Sequence, residues 1–179
     1  MSLRIEPPEA LSQHAIHYAS APGPLGWVLA ACTDSGLCWA ALGDAADDLQ
    51  ADLLTRHPHA TSTDDLPAVH ALVALSSGRE AAVALHLGLT AFQERVHRAL
   101  LTVPRGQTWT YTELAAQIGE GPTAARAVAT ACATNDVALA VPCHRILRTS
   151  GELAGYRWGL ARKRRLLQLE GALPLELFG

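Results

Sequence analysis

The first part of the chain alternates short apolar segments with turn-forming residues. Apolar segments cover residues 16–19, 26–32 and 37–42, and they are separated by Pro22-Gly23-Pro24 and by Asp34-Ser35-Gly36. Apolar runs of this length between clusters of glycine, proline and aspartate are typical of strands joined by turns. The pattern therefore predicts a β-meander in this part of the chain.

Apolar residues recur at helical spacing after Gly43, which predicts a series of helices. These predicted helices cover residues 45–56, 66–76, 91–102, 113–118, 123–133 and 160–170. The fourth and fifth helices are joined by the turn Gly119-Glu120-Gly121-Pro122, which is helix-turn-helix spacing. A further strand is predicted across the apolar run 137–141. The fold class predicted from this pattern is α+β, rich in strands first and mostly helical afterwards.

Charge divides the chain in the same way as the hydrophobic pattern. Residues 1–91 carry three Lys or Arg against ten Asp or Glu, a net of −7, whereas residues 92–179 carry eleven against seven, a net of +4. We therefore predict two domains, at residues 1–88 and 89–179, with the second facing an anion such as nucleic acid. The alternative is that the basic cluster 162–165 is only a solvated helix face.

Several classes of protein are not supported by the composition. No stretch of the 179 residues approaches the roughly 20 apolar residues of a membrane span, and the N-terminus lacks a signal-peptide pattern, so we expect a cytoplasmic location. No C-x-x-C pair occurs among the cysteines, Cys32, Cys38, Cys132 and Cys143. Regular ligand spacing is also missing among four histidines that we assign to the surface or to loops, His57, His59, His70 and His86. We therefore expect no metal site and no disulfide framework.

The tetrapeptide Pro142-Cys143-His144-Arg145 contains the strongest candidate for chemistry. It places a thiol after an apolar run and directly beside two basic side chains. Such neighbours favour the thiolate, so we predict a lowered pKa for Cys143 and a nucleophilic role. The alternative is a structural cysteine buried at the end of a strand, which is the commoner role of a lone cysteine.

Two other segments have open interpretations. The helix at 123–133 presents the small residues Ala125, Ala129 and Cys132 on one face, with Arg126 near its start. This face suits either close helix packing or close approach to a nucleic-acid backbone. The loop Gly155-Tyr156-Arg157-Trp158-Gly159 could form a wall against which a flat base stacks, or its aromatic residues could fill the core.

The motifs taken together resemble one family. They occur in order over residues 92–170, as Phe92-Gln93, Pro104-x-Gly106-x-Thr108, Thr110-Tyr111, Arg126-Ala127-Val128, Asn135, Pro142-Cys143-His144-Arg145, Gly155-Tyr156-Arg157-Trp158-Gly159 and Leu166-Leu167-x-x-Glu170. This combination resembles the methylated-DNA:protein-cysteine methyltransferases, the O6-alkylguanine-DNA alkyltransferases. Residues 1–88 match only loosely. The fold that the resemblance implies is a ribonuclease H-like α+β domain followed by a winged-helix-like domain.

The resemblance also implies an activity and a catalytic set. An alkyl group would pass from O6 of guanine, or from O4 of thymine, to Cys143 in a single turnover without a cofactor. His144 would be the general base, acting through a bridging water because neighbouring side chains of an extended segment point apart. Glu170 would orient His144, as the acid does in other triads, and Tyr111 would donate to the purine as it becomes anionic.

The partner implied by the resemblance is duplex DNA that contains an O6-alkylguanine. A base flipped out of the duplex would be replaced by Arg126, with the protein docked as a monomer in the minor groove. The other implied DNA-binding residues are Thr112, Ala125, Ala129 and Asn135. The implied substrate pocket comprises Tyr156, Arg157, Ile146 and Gly155. Two other functions stay open, a lesion-binding protein without transfer and a winged-helix regulator, although no added zinc module supports a transcriptional role.

Overall fold

A computed structural model of the chain describes residues 2–175. Contacts divide the chain into two compact units, Met1–Thr90 with Asp136–Ala140, and Ala91–Asn135 with Val141–Gly179. The fold is mixed, with a sheet and helices, so the predicted α+β class is confirmed. Among the described residues no helix is long and apolar enough to cross a membrane.

The first unit is built on a six-stranded sheet with the order β1-β6-β4-β3-β2-β5. Its strands are β1 (Leu3–Glu6), β2 (His17–Gly23), β3 (Gly26–Thr33), β4 (Gly36–Gly43), β5 (Thr61–Ser62) and β6 (Leu85–Gly88). Strands β2, β3 and β4 pair antiparallel and form the predicted meander, whereas β1 and β6 pair in parallel. Four successive residues of β3, Val28–Ala31, are fully buried, so both faces of this strand are covered.

Two helices belong to this unit, α1 (Ala46–Arg56) and α2 (Pro67–Ser76). Helix α1 packs against β3 and β4, and α2 packs against β2 and β3. Strand β2 continues through Pro22 and Gly23, where the sequence predicted a break. The turn to β3 lies between Gly23 and Gly26, which are the last paired residues of the two strands. The short strands β1, β5 and β6 were not predicted, because their partners are distant in sequence.

The second unit is mostly helical. Its elements are α3 (Ala91–Leu100), β7 (Trp109–Thr110), α4 (Tyr111–Gln117), α5 (Ala125–Ala133), β8 (Ile146–Leu147) and α6 (Leu160–Leu169). Short 3-10 helices occur at Pro122–Ala124 and Cys143–Arg145, and β7 pairs with β8 in parallel. Thr110 caps α4, because its hydroxyl accepts from the Glu113 amide at 3.2 Å while the Glu113 carboxylate accepts from the Thr110 amide at 2.6 Å.

The predicted strand across 137–141 is wrong. Val137 forms only an isolated bridge with Ala40, and Leu139 has a φ of 67°, which a strand does not allow. Further along, the Cys143 amide donates to the Val141 carbonyl at 2.8 Å, and Pro142 has φ −82° and ψ 56°. These values define an inverse γ-turn. The apolar run is therefore a series of tight buried turns.

Candidate active site

The thiol of Cys143 lies at the start of the 3-10 helix Cys143–Arg145 and is buried. Asn135, immediately after α5, is fully buried and donates through Nδ2 to the Cys143 Sγ at 3.2 Å. The same nitrogen donates to the Val141 carbonyl at 3.0 Å, so one amide fixes both the turn and the sulfur. A side chain buried in this way cannot contact DNA, and the prediction of Asn135 as a DNA-binding residue is wrong.

The predicted acidity of Cys143 is also wrong. Burial raises the pKa of this thiol, and the Asn135 bond and the charge of Lys163 offset that effect only in part. The basic neighbours do not act as expected, because Arg145 is turned towards Glu170 and burial lowers the pKa of His144. The resting protein therefore holds a neutral thiol beside a neutral imidazole.

Glu170, at the end of α6, joins the two basic residues that follow Cys143. Its Oε1 lies 3.0 Å from the His144 Nε2, and both carboxylate oxygens accept from Arg145, at 2.8 and 2.9 Å. Arg145 also donates to the Val103 carbonyl at 2.7 Å. Burial raises the pKa of Glu170, but the bonds from His144 and Arg145 outweigh it and bring that pKa to about 2.

The contact with Glu170 determines which His144 nitrogen can act as a base. A carboxylate only accepts hydrogen bonds, so the proton of the neutral ring lies on Nε2. The buried Nδ1 then carries the lone pair, and it has no hydrogen-bond partner among the described residues. In particular, no direct hydrogen bond joins Nδ1 to the Cys143 thiol within residues 2–175. The two residues occupy a 3-10 helix, so the extended geometry used for the sequence-based prediction does not apply.

Lys163 is a functional candidate that the sequence-based predictions missed. It lies in the cluster 162–165 but is fully buried, and its Nζ donates to the Ile146 carbonyl at 2.5 Å. Burial lowers its pKa, while the nearby thiols of Cys143 and Cys132 act in the opposite direction. The sequence contained the signal, because Lys163 shares helical spacing with the buried Leu166 and Leu167.

A cavity of about 550 Å³ opens beside Cys143. Its volume falls in the range of about 300–1,000 Å³ that is usual for small-molecule sites. It is lined by Tyr111, Ala129, Cys132, Ala133, Cys143, Arg148, Ala154, Gly155, Tyr156, Arg157 and Trp158. Burial raises the pKa of Tyr111 to about 12, so its hydroxyl keeps its proton and remains a donor. Two members of the small-residue face of α5, Ala129 and Cys132, are among the lining residues.

Aromatic side chains form one wall of this cavity. Tyr156 packs edge-on against Trp158, with ring centroids 5.1 Å apart, and Arg157 lies over the Trp158 ring at 5.8 Å. The Tyr156 hydroxyl is buried without a hydrogen-bond partner among the described residues. Trp158 is buried, so the loop both fills the core and faces the cavity. Core filling by these aromatic residues is therefore confirmed, and the stacking of a base against this wall stays a prediction.

The other predicted residues lie at different places. Ile146 is fully buried in β8 and does not line the cavity, so its assignment to the substrate pocket is wrong. Arg126 is exposed near the start of α5, one residue after the half-buried Ala125. Thr112 is half-buried in α4, and its hydroxyl lies 3.5 Å from that of Thr149.

The first unit contains one group with metal-ligand geometry among the described residues. The ligand atoms of Glu6, His14 and His86 lie within 4.8 Å of one another. His86 was predicted at the surface or in a loop, but it is fully buried in β6 and its Nδ1 lies 2.7 Å from the Thr33 hydroxyl. The same carboxylate also pairs with Arg4, so these contacts form an ion-pair network in their own right.

Comparisons with known proteins agree on one family. The sequence profile described as "6-O-methylguanine DNA methyltransferase, DNA binding domain" matches residues 91–172. The methylated-DNA–protein-cysteine methyltransferase of Mycolicibacterium paratuberculosis is 40% identical over 157 residues, with 87% of this chain and 92% of that protein covered. The bifunctional transcriptional activator/DNA repair enzyme Ada of Escherichia coli is 42% identical over 165 residues, covering 87% of this chain and 46% of that protein.

Solved structures give the same result. The crystal structure of Mycobacterium tuberculosis OGT in complex with DNA has a TM-score of 0.73 and 39% identity, covering 87% of this chain and 93% of that one. The chain spans about half the length of the first curated relatives that it matches, from 46% to 53%. The predicted resemblance is confirmed, and the chain belongs to the methylated-DNA–protein-cysteine methyltransferase family.

Proposed function

We propose that this protein repairs DNA by transferring a methyl or other alkyl group from O6 of guanine to Cys143. The observation that carries the proposal is the placement of one buried thiol, held by Asn135, on the wall of a cavity that Tyr111 also lines. A displacement at saturated carbon needs a nucleophile, a base and stabilisation of the leaving group. We assign these three roles to Cys143, His144 and Tyr111, respectively.

The proton of Cys143 passes to His144 Nδ1 through a bridging water. The lone pair of Nδ1 accepts it, and the buried imidazolium that forms is stabilised by Glu170 at 3.0 Å. The sulfur then attacks the alkyl carbon, the bond from that carbon to O6 breaks, and its electron pair stays on the purine. Tyr111 donates to a purine ring nitrogen as this charge develops.

Lys163 stabilises the thiolate that this proton transfer creates. Its ammonium group is buried, and its charge favours the ionised sulfur of Cys143. The thiolate and the imidazolium formed by this transfer therefore each face a group of opposite charge, which is Lys163 for the thiolate and Glu170 for the imidazolium. The product is a thioether without a good leaving group, so each molecule acts once.

Binding to duplex DNA uses the helix-turn-helix pair α4 and α5 in a winged-helix-like second domain, residues 89–179. The target guanine leaves the stack, because its O6 substituent cannot be reached in line inside a duplex. Exposed Arg126 fills the space it leaves, and the small residues Ala125 and Ala129 allow close approach to the minor groove, where Thr112 also contacts DNA. We further propose a ribonuclease H-like first domain, residues 1–88, a monomer, and a cytoplasmic location.

Intact-protein mass tests the proposed transfer. After incubation with duplex DNA containing O6-methylguanine, the protein should gain the mass of one methyl group, on the peptide that contains Cys143. Cys143→Ala should gain nothing, whereas Cys32→Ala, which removes a thiol of the first unit, should react like the unmodified protein. Tight binding without a mass gain would instead show a lesion-binding protein. Oligonucleotides with O4-methylthymine test the second substrate in the same way.

A second comparison tests base flipping. Arg126→Ala should slow transfer from duplex DNA much more than transfer from free O6-benzylguanine, because the free base needs no flipping. The matched variant Arg79→Ala removes an exposed arginine of the first unit and should leave both reactions unchanged. Equal losses of Arg126→Ala on both substrates would contradict the role of Arg126.

A further inference from the structure

Arg148 stands where the cavity of the second unit opens to solvent. It lines the cavity together with Tyr111 and Cys143, yet 64% of its side chain is exposed. Its backbone is held in a turn, because the Gly151 amide donates to the Arg148 carbonyl at 2.9 Å and the Arg148 amide donates to the Glu152 carbonyl at 3.0 Å. A fixed backbone therefore presents this guanidinium at the mouth of the cavity.

The protein engages this guanidinium only loosely. The carboxylate of Glu152 lies 3.9 Å from its Nη1, and 70% of the Glu152 side chain is exposed. Exposed pairs of this kind contribute little to stability because solvent screens them. Arg145, by contrast, is mostly buried and held by Glu170 at 2.8 and 2.9 Å. Arg148 can thus exchange its carboxylate partner for another anion at low cost.

A nucleotide whose base enters the cavity carries such an anion to its mouth. The base must reach Cys143, so the sugar and the two flanking phosphates remain outside, at the rim. A guanidinium binds phosphate oxygens through two parallel N–H donors, which fixes position as well as adding attraction. We propose that Arg148 binds a phosphate flanking the extruded nucleotide and thereby positions the base for attack by Cys143. This inference rests on the proposed transfer from duplex DNA.

The competing role for Arg148 is an effect on Tyr111. Its charge acts on the Tyr111 hydroxyl, and both side chains line the same cavity. The two roles differ in what they require of the substrate. A role through Tyr111 applies to any O6-alkylguanine, whereas a phosphate contact applies only to a nucleotide within a strand.

Single-turnover rates of alkyl transfer to Cys143 separate these roles, with a methyl group transferred from the duplex and a benzyl group from the free base. Arg148→Ala, Arg148→Lys and the charge-matched control Arg79→Ala are compared on duplex DNA containing O6-methylguanine and on free O6-benzylguanine. We expect Arg148→Ala to react about tenfold more slowly with duplex, the usual effect of losing one charge-assisted bond, and to keep its rate with the free base. Arg148→Lys should recover part of the loss, because it keeps the charge without the paired donors.

Neutral phosphates make the test specific. In two further duplexes, a methylphosphonate replaces the phosphate on the 5′ or the 3′ side of the modified guanosine. One of them should slow the unmodified protein about as much as Arg148→Ala does, and should slow Arg148→Ala little further. The inference is overturned if the rate decreases caused by Arg148→Ala and by the methylphosphonate multiply when the two are combined. It is also overturned if Arg148→Ala slows transfer from the free base as much as transfer from the duplex. Failure of the unmodified protein to accept any methyl group would instead reject the proposed function itself.

Discussion

Replacing Glu170 by glutamine tests whether the carboxylate network stabilises the protein through its charge. The variant Glu170→Gln keeps the shape and one acceptor oxygen but removes the negative charge that Arg145 meets at 2.8 Å. Because His144 is neutral in the resting protein, Arg145 is the partner whose charge is left unbalanced. Breaking a buried ion pair from one side costs about 3–5 kcal/mol.

The pKa of Glu170 gives a second measure of the same interaction. A carboxyl whose pKa falls from 4.5 to about 2 on folding contributes about 3 kcal/mol to stability at neutral pH. The side chain is only 5% exposed, so solvent screening reduces this figure little. Because the folded pKa is the lower one, the contribution is complete above pH 4.5 and declines as the pH falls towards 2. About a quarter of it is lost by pH 4 and more than half by pH 3.

Urea unfolding followed by circular dichroism measures this effect. At pH 7 we expect Glu170→Gln to lower the free energy of unfolding by about 3 kcal/mol, and the gap to the unmodified protein should narrow as the pH falls from 5 to 3. The control Glu152→Gln alters an acid that is 70% exposed and should stay within about 0.5 kcal/mol at every pH. A gap for Glu170→Gln that is below 1 kcal/mol, or constant across this pH range, would refute the reasoning.

Three more variants and one control test residues around the site. Lys163→Met keeps the length of the buried side chain but removes its charge, so single-turnover transfer should slow by about 100-fold; an unchanged rate would show that the thiolate needs no such counter-charge. Asn135→Ala leaves the Val141 carbonyl without one donor and should lower the free energy of unfolding by about 1–3 kcal/mol in urea titrations. Gly106→Ala should destabilise by a similar amount, because Gly106 has φ +77° and an added Cβ would lie 3.1 Å from the Glu170 carbonyl. Gly121→Ala, where nothing lies within 4 Å, should match the unmodified protein in the same titration.

Local sequence pattern was sufficient to predict several helices of the second unit. Helix α3 begins at Ala91 and α6 at Leu160, as their apolar spacing predicted, and Thr110 caps α4. Such signals depend only on residues a few positions apart. The resemblance supplied the triad, since no local pattern connects Glu170 with His144 across 26 positions.

The errors arose where a side chain's role depends on tertiary contacts. The apolar composition of 137–141 suits a strand. Turns are favoured instead by Pro142 and by the two hydrogen bonds that the Asn135 side-chain amide donates. His86 lacks ligand spacing in sequence, yet the parallel pairing of β6 with β1 places it beside Glu6. In both cases the decisive partner comes from another element, which periodicity cannot reveal.

The raised pKa of the Cys143 thiol changes how its reactivity is explained. Two adjacent basic residues suggest a permanent thiolate. However, Arg145 is paired with Glu170 and His144 is neutral, so burial determines that the Cys143 thiol is protonated in the resting protein. Proton transfer between two buried neutral groups creates two charges, which low-dielectric surroundings penalise unless opposite charges are already in place. Lys163 and Glu170 are placed on the two sides of that transfer. In the proposed reaction, reactivity therefore comes from the preorganised charges around the sulfur and not from a permanently lowered pKa of the thiol.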